Sequence, residues 1–264
     1  MPMTQRPPGS LSDRDFMRYS RQLLLPEVSE SGQQRLFAAH IVIIGLGGLG
    51  QLAAQYLAAA GVGRLTLIDG DRIELSNLPR QLLYCEADLG LFKAEVAANK
   101  LQAAHGGLAL RHHCLAFDAD NAGHLLAPLL AEPHALVLDC TDNFLTRQRV
   151  NQACIERRLS LVSASVAHFQ GQLFCLDGRS LAASGCYHCL FPADTRLSQS
   201  CSTSGVLGPA VGVMASMQAL QALNLLLDIN DGGYLHRFDA KSLHWQHAKL
   251  TRDPDCPVCS PLWS

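Results

Sequence analysis

Cysteine pairs with the spacing of metal ligands occur twice in the C-terminal third of the chain. Cys186 and Cys189 are separated by two residues, and Cys256 and Cys259 repeat that spacing. Two such pairs supply four thiolates to a tetrahedral Zn²⁺ ion. Because four thiolates fill the coordination sphere, the sequence predicts a structural zinc site and not a catalytic one. His188 lies between the first two cysteines and is interpreted as a surface residue.

A glycine-rich segment follows a run of β-branched residues in the first quarter of the chain. It places Gly45, Gly47 and Gly48 between a predicted strand and a predicted helix. Such glycines allow positive φ and let a phosphate approach the backbone, and the helix N-terminus attracts the anion. Asp69 ends the next predicted strand, where nucleotide-binding folds place an acid for the ribose hydroxyls. These features alone are typical of a nicotinamide-dependent dehydrogenase, and a plain turn acid is the alternative for Asp69.

The polar loop after Asp69 carries more positive charge than a dinucleotide needs. Asn77, Arg80, Gln81 and Lys93 follow within one connection. A dinucleotide has two phosphates, which backbone N–H groups largely serve, whereas a triphosphate has more charge to neutralise. The alternative for each cation is a solvated surface position, but Arg80 and Lys93 together with Arg21 favour a triphosphate ligand.

The segment Asp139–Asn143 follows another predicted parallel strand, at the sheet edge where ligands bind in open α/β folds. Asp142 is a suitable ligand for Mg²⁺, which prefers oxygen atoms and usually bridges to substrate phosphates. Asp and Asn are equally favoured as helix N-caps, and a predicted helix begins near Phe144. Both interpretations of Asp142 remain open at this point.

Cys201 differs from the other unpaired cysteines in its surroundings. It lies in the polar, serine-rich stretch 198–205, just before a predicted helix that begins near Gly208. A cysteine in such a loop is a candidate reactive thiol. The remaining cysteines fall in or beside apolar runs and are predicted to be core residues: Cys85, Cys114, Cys140, Cys154 and Cys175.

Composition narrows the class of protein. A net charge of −2 gives no basic surface for nucleic acid. The most apolar stretch, 205–227, carries Gln218, Gln221 and Asn224 along one helical face, which indicates a buried amphipathic helix and no membrane span. The N-terminal residues lack the apolar region of a secretory signal. Because ten cysteines occur without such a signal, we expect a cytoplasmic protein with reduced thiols.

The order of predicted elements gives the fold class. Strands and helices alternate at the spacing of a doubly wound, mostly parallel α/β sheet of the Rossmann type. The strand at Gln172–Leu176 follows Leu161–Ala164 too closely for a helical crossover, so it is predicted to be antiparallel, continued by a hairpin near residues 233–250. We expect one domain over residues 1–264: a helical leader at 1–39, a nucleotide-binding half at 40–165, and a second half at 166–264 that holds the zinc site.

The ordered set of motifs resembles the ThiF/MoeB/HesA family, bacterial relatives of the ubiquitin-activating enzymes. The resemblance extends from about Asp13 to Cys259 and includes the glycine turn, Cys-Thr-Asp-Asn at 140–143 and both cysteine pairs. The segments 14–22 and 185–190 look most like the ThiF type, and the MoeB type is the alternative. The family relation implies an enzyme that binds Mg·ATP and adenylates the C-terminal glycine of a ubiquitin-like sulfur carrier protein with a Gly-Gly tail.

The resemblance also implies roles for individual residues. Asp69 is expected to hold the ribose and Asp142 to bind Mg²⁺, while the phosphates are expected to bind to Asn77, Arg80 and Lys93. Arg21 matches an arginine that reaches the partner subunit's ATP site, which implies a homodimer. Cys201 matches a cysteine that forms a covalent acyl-disulfide with the carrier in ThiF-type proteins. A sulfurtransferase or cysteine desulfurase is an expected further partner, thiamine thiazole synthesis is the expected pathway, and a non-catalytic zinc-stabilised scaffold remains the third alternative beside a dehydrogenase.

Overall fold

Eight strands form one continuous sheet in the computed structural model, which describes residues 11–181, 184–195 and 205–262. The strand order is β3-β2-β1-β4-β5-β6-β7-β8. The strands are β1 (His40–Ile44), β2 (Arg64–Ile68), β3 (Ala109–His113), β4 (Ala135–Asp139), β5 (Ser160–Ala167), β6 (Gln170–Leu176), β7 (Tyr234–Asp239) and β8 (His244–Lys249).

The sheet changes from parallel to antiparallel pairing after β5. Strands β1 to β5 pair in parallel, as expected for strands joined by helical crossovers. Only a short turn joins β5 to β6, so β6 pairs antiparallel to β5, and β7 and β8 continue in the same manner. The predicted fold class, a doubly wound sheet continued by antiparallel strands, is confirmed.

Eight α-helices accompany the strands within the described ranges. The first begins at a capping box in which Ser12 and Asp15 satisfy each other's backbone N–H groups. The helices are α1 (Asp13–Leu23), α2 (Ser29–Ala38), α3 (Gly48–Ala60), α4 (Lys93–Ala104), α5 (Ala119–Leu126), α6 (Phe144–Arg157), α7 (Tyr187–Leu190) and α8 (Gly208–Leu226).

Alternating residues of the strands build a separate apolar layer on each face of the sheet. Ile41 and Ile43 of β1 pack into the layer that contains α3, α4 and α8. Val42 and Ile44 pack on the opposite face, with α5, α6 and the cysteine pairs. This period of two shows that β1 is an interior strand that is buried on both faces.

The apolar helix α8 lies against the sheet, as its polar stripe predicts. Gln218 is fully buried, and its Nε2 donates to the carbonyl oxygens of Asp139 (2.9 Å) and Val162 (3.0 Å). These bonds attach α8 to β4 and β5. Within the part of the chain that the structure describes, none of the helices is both long and apolar enough to cross a membrane.

Helix α5 is followed directly by a 3₁₀ helix, Ala127–Ala131, because Pro128 has no N–H to donate to the α-helical ladder. The burial predicted for two of the cysteines is wrong. Cys114 is only part-buried. Cys85 is exposed and is not a core residue. In its segment the chain forms short 3₁₀ turns, and Tyr84 is the neighbour that turns inward.

Candidate functional site

A cleft of about 700 Å³ opens at the carboxyl ends of the parallel strands. It lies where the strand order reverses between β1 and β4, the place where open α/β sheets bind ligands. Segments that follow β1, β2 and β4 meet there, although they are far apart in sequence. The predicted residues among its lining are Gly45, Gly47, Gly48, Asp69, Asn77, Arg80, Lys93 and Asp142.

The glycine turn is shaped by close contacts with its surroundings. Gly45 has φ of +90°, and a Cβ there would lie 2.8 Å from the Cys140 carbonyl oxygen. A Cβ on Gly50 would lie 1.8 Å from the carbonyl oxygen of Gly45, so the start of α3 contacts the turn directly. Gly47 is the N-cap of α3 and provides no side-chain acceptor. The first N–H groups of α3 therefore remain available to an anion in the cleft.

Asp69 holds the glycine turn in addition to lining the cleft. Its Oδ2 accepts a hydrogen bond from the Leu46 N–H (2.6 Å), and its Oδ1 accepts from the Asp71 N–H (2.7 Å). Burial raises the pKa of Asp69, while the positive charge of Lys93 and the two N–H donors oppose that shift. Each oxygen keeps a lone pair, so the carboxylate can still accept from a ribose hydroxyl.

Two cations reach the cleft from the loop after β2 and from the start of α4. The Lys93 side chain is only 8% exposed, and its Nζ lies 2.9 Å from Oδ2 of Asp71. Arg80 donates from Nη1 to the Ser76 carbonyl oxygen at 2.9 Å. The buried Asn77 caps its own turn, because its Oδ1 accepts the Glu74 N–H. The burial of Lys93 argues against a solvated surface role.

The two interpretations of Asp142 separate in the structure, because the neighbouring residue caps α6. Oδ1 of Asn143 accepts the Thr146 N–H at 2.8 Å, which leaves the exposed Asp142 free of capping. The loop is held from beneath by the buried Asp139, whose Oδ1 accepts from the N–H (3.0 Å) and hydroxyl (2.7 Å) of Thr141. Asp142 therefore faces the cleft from a fixed loop and suits a hydrated divalent cation.

Several polar residues of the cleft were missed by the sequence analysis. Arg72 lines it and stacks its guanidinium on Phe92, 3.9 Å from the ring centroid. Arg147 is buried and donates to the carbonyl oxygens of Thr141 and Ala164, which ties α6 to β5. Their positions in the sequence could have placed them near the cleft, because Arg72 follows Asp69 closely and Arg147 lies one helical turn after the cap residue Asn143.

Among the described residues, Arg21 is a predicted site residue that does not line this cleft. It is exposed on α1. Cys201 lies outside the described residues. His188, interpreted above as a surface residue, is part-buried, and its Nδ1 lies 3.2 Å from Oε1 of Gln148.

The two cysteine pairs meet in one cluster on the face of the sheet covered by α6. Their four sulfur atoms lie within 4.8 Å of one another, with Sγ distances of 3.9 Å from Cys186 to Cys189, 3.8 Å from Cys186 to Cys256, and 3.5 Å from Cys189 to Cys259. A disulfide bond would require about 2.05 Å. Sulfur atoms about 2.3 Å from a tetrahedral ion are about 3.8 Å apart, so the cluster fits Zn²⁺.

The cysteine cluster is attached to α6 through a fully buried amide. Asn151 donates from Nδ2 to Sγ of Cys186 (3.6 Å) and accepts the Tyr187 N–H at Oδ1 (3.0 Å). An N–H donor to a sulfur ligand stabilises the thiolate and orients it. Since α6 begins beside Asp142, one helix connects the cysteine cluster to the cleft.

Comparison with known proteins agrees with this geometry. The chain is 44% identical over 250 residues to a protein of Escherichia coli named sulfur carrier protein ThiS adenylyltransferase, covering 94% of this chain and 97% of that one. It is 38% identical to the molybdopterin-synthase adenylyltransferase of Escherichia coli, covering 95% and 99%. The fold resembles the crystal structure of Escherichia coli MccB with MccA-N7isoASN, with a TM-score of 0.77, 22% identity, and coverage of 93% of this chain and 74% of that one.

The profile of the ThiF family matches residues 19–258, which include the glycine turn, the cleft residues and three of the four clustered cysteines. Relatives that share more than a third of their residues over nearly their full length agree with that match. The chain therefore belongs to the ThiF family.

Proposed function

We propose that this protein is an enzyme that uses ATP to adenylate the C-terminal glycine carboxylate of a ubiquitin-like sulfur carrier protein. The observation that carries the proposal is the convergence of a helix N-terminus, Arg80, Lys93 and two acids on one cleft. A triphosphate with its cation needs this much charge, whereas a nicotinamide dinucleotide does not. The two relatives named above are both called adenylyltransferases, which favours this reaction over hydride transfer.

The proposed reaction needs no nucleophile from the enzyme. An oxygen of the carrier's terminal carboxylate attacks the α-phosphorus of ATP, the bond from that phosphorus to the bridging oxygen of pyrophosphate breaks, and an acyl-adenylate forms. The carboxylate is already deprotonated at neutral pH, so no base is required. Catalysis then consists of alignment and of stabilising charge on the α-phosphoryl group and pyrophosphate, for which Arg80 and Lys93 are suited. Asn77 would hold the phosphate chain, and Asp69 would hold the ribose.

Asp142 is the proposed protein ligand of Mg²⁺. The capping by Asn143 leaves its carboxylate available, and Mg²⁺ usually binds one or two carboxylates together with substrate phosphates. When bound, the ion would neutralise part of the phosphate charge, a task that it would share with Arg80 and Lys93 of the same cleft.

We propose that Zn²⁺ occupies the cysteine cluster and has a structural role. The sulfur spacing supports it, as does the complete set of four thiol donors. Burial raises the pKa of the Cys186 thiol, and a bound cation would stabilise its thiolate form. All nine described cysteines are free, which supports a reducing compartment such as the cytoplasm.

The carrier is proposed to be of the ThiS type, because the relative with that name shares 44% of its residues with this chain. The molybdopterin-synthase relative, at 38% identity, supports the alternative carrier. After adenylation, a sulfurtransferase or cysteine desulfurase would deliver sulfur, and Cys201 is the proposed site of an acyl-disulfide with the carrier. In this scheme the product serves thiamine thiazole synthesis.

A homodimer with shared active sites is proposed from Arg21 and from an exposed apolar surface. Tyr56 of α3 and Val213 and Leu220 of α8 are exposed apolar side chains on two helices that pack against each other. Arg21 lies outside its own cleft, so it would complete the site of the second subunit. Mixing Arg21→Ala and Lys93→Met proteins should restore activity, because one site of each mixed dimer is then intact. Absence of complementation would argue against a shared site.

The proposed activity is tested by exchange of labelled pyrophosphate into ATP with Mg²⁺ and a purified carrier ending in Gly-Gly. We expect exchange that depends on the carrier, and faster exchange with a ThiS-like than with a MoaD-like carrier. Carrier truncated by its last glycine serves as the matched control. Exchange with neither carrier would refute the proposal, and binding of NAD(H) in preference to ATP would restore the dehydrogenase alternative. Cys201→Ser should exchange normally and lose only sulfur transfer.

A further inference from the structure

One buried side chain in the cleft lacks the partners that its chemistry requires. Gln81 is 2% exposed and lines the cleft directly after Arg80. Its backbone is fully engaged, because its N–H donates to Asn77 and its carbonyl oxygen accepts from Tyr84. Its side-chain Oε1 is buried and has no hydrogen-bond partner among the residues that the structure describes. Buried amides without partners are rare, and each one requires a reason.

A second buried glutamine in the same region shows that the fold can satisfy such a group. Gln51, one turn into α3, is also fully buried. Its Oε1 accepts the Leu83 N–H at 3.1 Å, and its Nε2 donates to the Gly48 carbonyl oxygen at 3.1 Å. The structure of the protein alone therefore explains why Gln51 is buried. The side chain of Gln81 is buried without comparable hydrogen bonds.

The position of Gln81 indicates which ligand atoms it can meet. A Cβ added to Gly47 would lie 3.6 Å from its Nε2, so the amide lies beside the glycine turn. Asp69 contacts the preceding residue of that turn, through the Leu46 N–H. Asp69 and Gln81 thus approach consecutive residues of one turn. Both residues also line the cleft, so a ligand that fills it lies near both of them.

The chemistry of the unpartnered atom narrows the choice further. Oε1 can only accept, so it needs a donor from the ligand. Phosphate oxygens of ATP at neutral pH accept hydrogen bonds and do not donate them. The donors of the nucleotide are its ribose hydroxyls and its adenine amino group. The hydroxyls are the ones that an acid in the position of Asp69 binds.

We infer that Gln81 is a specificity residue of the cleft whose Oε1 accepts a hydrogen bond from a ribose hydroxyl of the bound nucleotide. Asp69 and Gln81 then divide the two hydroxyls between them. The cleft discriminates ribonucleotides from deoxyribonucleotides because the buried amide regains no partner when the hydroxyl is missing. The inference rests on the proposed function only in placing a nucleotide in the cleft.

The test compares Gln81→Met with Gln51→Met, which replace each amide by an apolar side chain of similar length. Binding of ATP, 2′-deoxyATP and 3′-deoxyATP is measured by titration calorimetry with Mg²⁺ and without carrier. Wild-type protein should bind one of the deoxy analogues about tenfold more weakly than ATP, the loss expected for one hydrogen bond with a buried partner. Gln81→Met should bind ATP about tenfold more weakly and bind that analogue no more weakly than ATP.

Thermal unfolding without nucleotide separates a ligand role from a structural one. Removal of an unpartnered buried amide should leave the midpoint of Gln81→Met unchanged or raised, whereas Gln51→Met should lower it, since it leaves the Leu83 N–H without an acceptor. Gln51→Met should keep the wild-type ratio of ATP to deoxyATP affinity. A lowered midpoint for Gln81→Met with unchanged discrimination would overturn the inference, as would equal weakening of all three nucleotides.

The two proposals fail in different ways. Wild-type protein that binds no adenine nucleotide would contradict the proposed function. Wild-type protein that binds ATP but does not discriminate against either deoxy analogue would contradict the role of Gln81 alone.

Discussion

Replacement of Lys93 by methionine tests whether the cleft acts on a polyanion. The substitution removes the charge and keeps most of the side chain's volume. Lys93 is 8% exposed, so its ammonium is weakly screened, whereas its partner Asp71 is 74% exposed. Two unit charges about 4 Å apart at an effective dielectric constant of about 20 interact by about 4 kcal/mol. Asp71 already neutralises part of that field in the free enzyme.

The net loss of transition-state stabilisation in Lys93→Met is therefore smaller than the full Coulomb interaction between Lys93 and a phosphate. A hydrogen bond to a charged group contributes about 1.5–3 kcal/mol, and we take about 2 kcal/mol for transition-state stabilisation. That value predicts a decrease of about 30-fold in kcat/KM. The free energy of unfolding should change by less than about 1 kcal/mol, because Asp71 regains full hydration when its partner is removed. Activity and stability thus separate in this variant.

The assay is carrier-dependent exchange of pyrophosphate into ATP, with thermal unfolding of the same preparation as the stability measurement. Lys93→Arg is the matched control: it keeps the charge but changes the geometry, so it should retain more activity than the methionine variant. Unchanged exchange in Lys93→Met would refute the phosphate role. A loss of activity that merely follows a lowered unfolding midpoint would refute the reasoning from charge.

Three further predictions concern other parts of the molecule. Gly50→Ala should fail to fold normally, since its Cβ would lie 1.8 Å from a carbonyl oxygen. Gly47→Ala should instead unfold at the wild-type temperature and bind ATP more weakly. Equal unfolding midpoints for the two variants would contradict this prediction. Asn151→Leu should lose Zn²⁺ to a chelator about 10- to 100-fold more readily than the wild-type protein does, because it lacks the hydrogen bond to Cys186. Gln152→Leu, which changes the exposed neighbouring residue, is the control and should release Zn²⁺ at the wild-type rate. Equal release rates for the two variants would show that the hydrogen bond is unimportant. Burial, reinforced by nearby Arg64, lowers the pKa of His40 to about 4, so the unfolded state takes up a proton at a higher pH than the folded state does. The free energy of unfolding should therefore fall by about 1.4 kcal/mol per pH unit as the pH is lowered from about 6.5 to about 4. His40→Gln should flatten that slope in acid unfolding curves, and an unchanged slope would exclude His40 as its source.

Much of the site could be predicted because its residues follow strands of strong pattern. The β-branched run before Gly45 and the apolar run before Asp69 place both residues at the same sheet edge. Asp142 follows a third strand and reaches that edge for the same reason. Because the three strands pair in parallel, the three segments that follow them meet at one edge of the sheet, and this can be predicted from the strands alone. The division of the chain at residues 39 and 165 stays a prediction.

Other features of the site depend on contacts between segments that are distant in the sequence, and the pattern of apolar residues does not predict such contacts. Asn143 and not Asp142 caps α6, although both residue types favour that position. Cys85 follows an apolar run, yet the run forms turns and leaves the thiol exposed. The burial of Arg147 and Gln81 follows only from the elements that cover them, and residue type alone does not predict it.

The separation of the two cysteine pairs has a consequence for biosynthesis. Cys256 lies 70 residues after Cys186, and both cysteines of the later pair follow the last strand of the sheet. A ribosome delivers the chain in order, so every strand and both walls of the cleft have been synthesised before the second pair can meet the first. The proposed zinc site would therefore gain its last two sulfur ligands only after every strand of the sheet has been synthesised. A chain that lacks its last ten residues would contain all eight strands but only the first cysteine pair, so it could not complete a four-sulfur site.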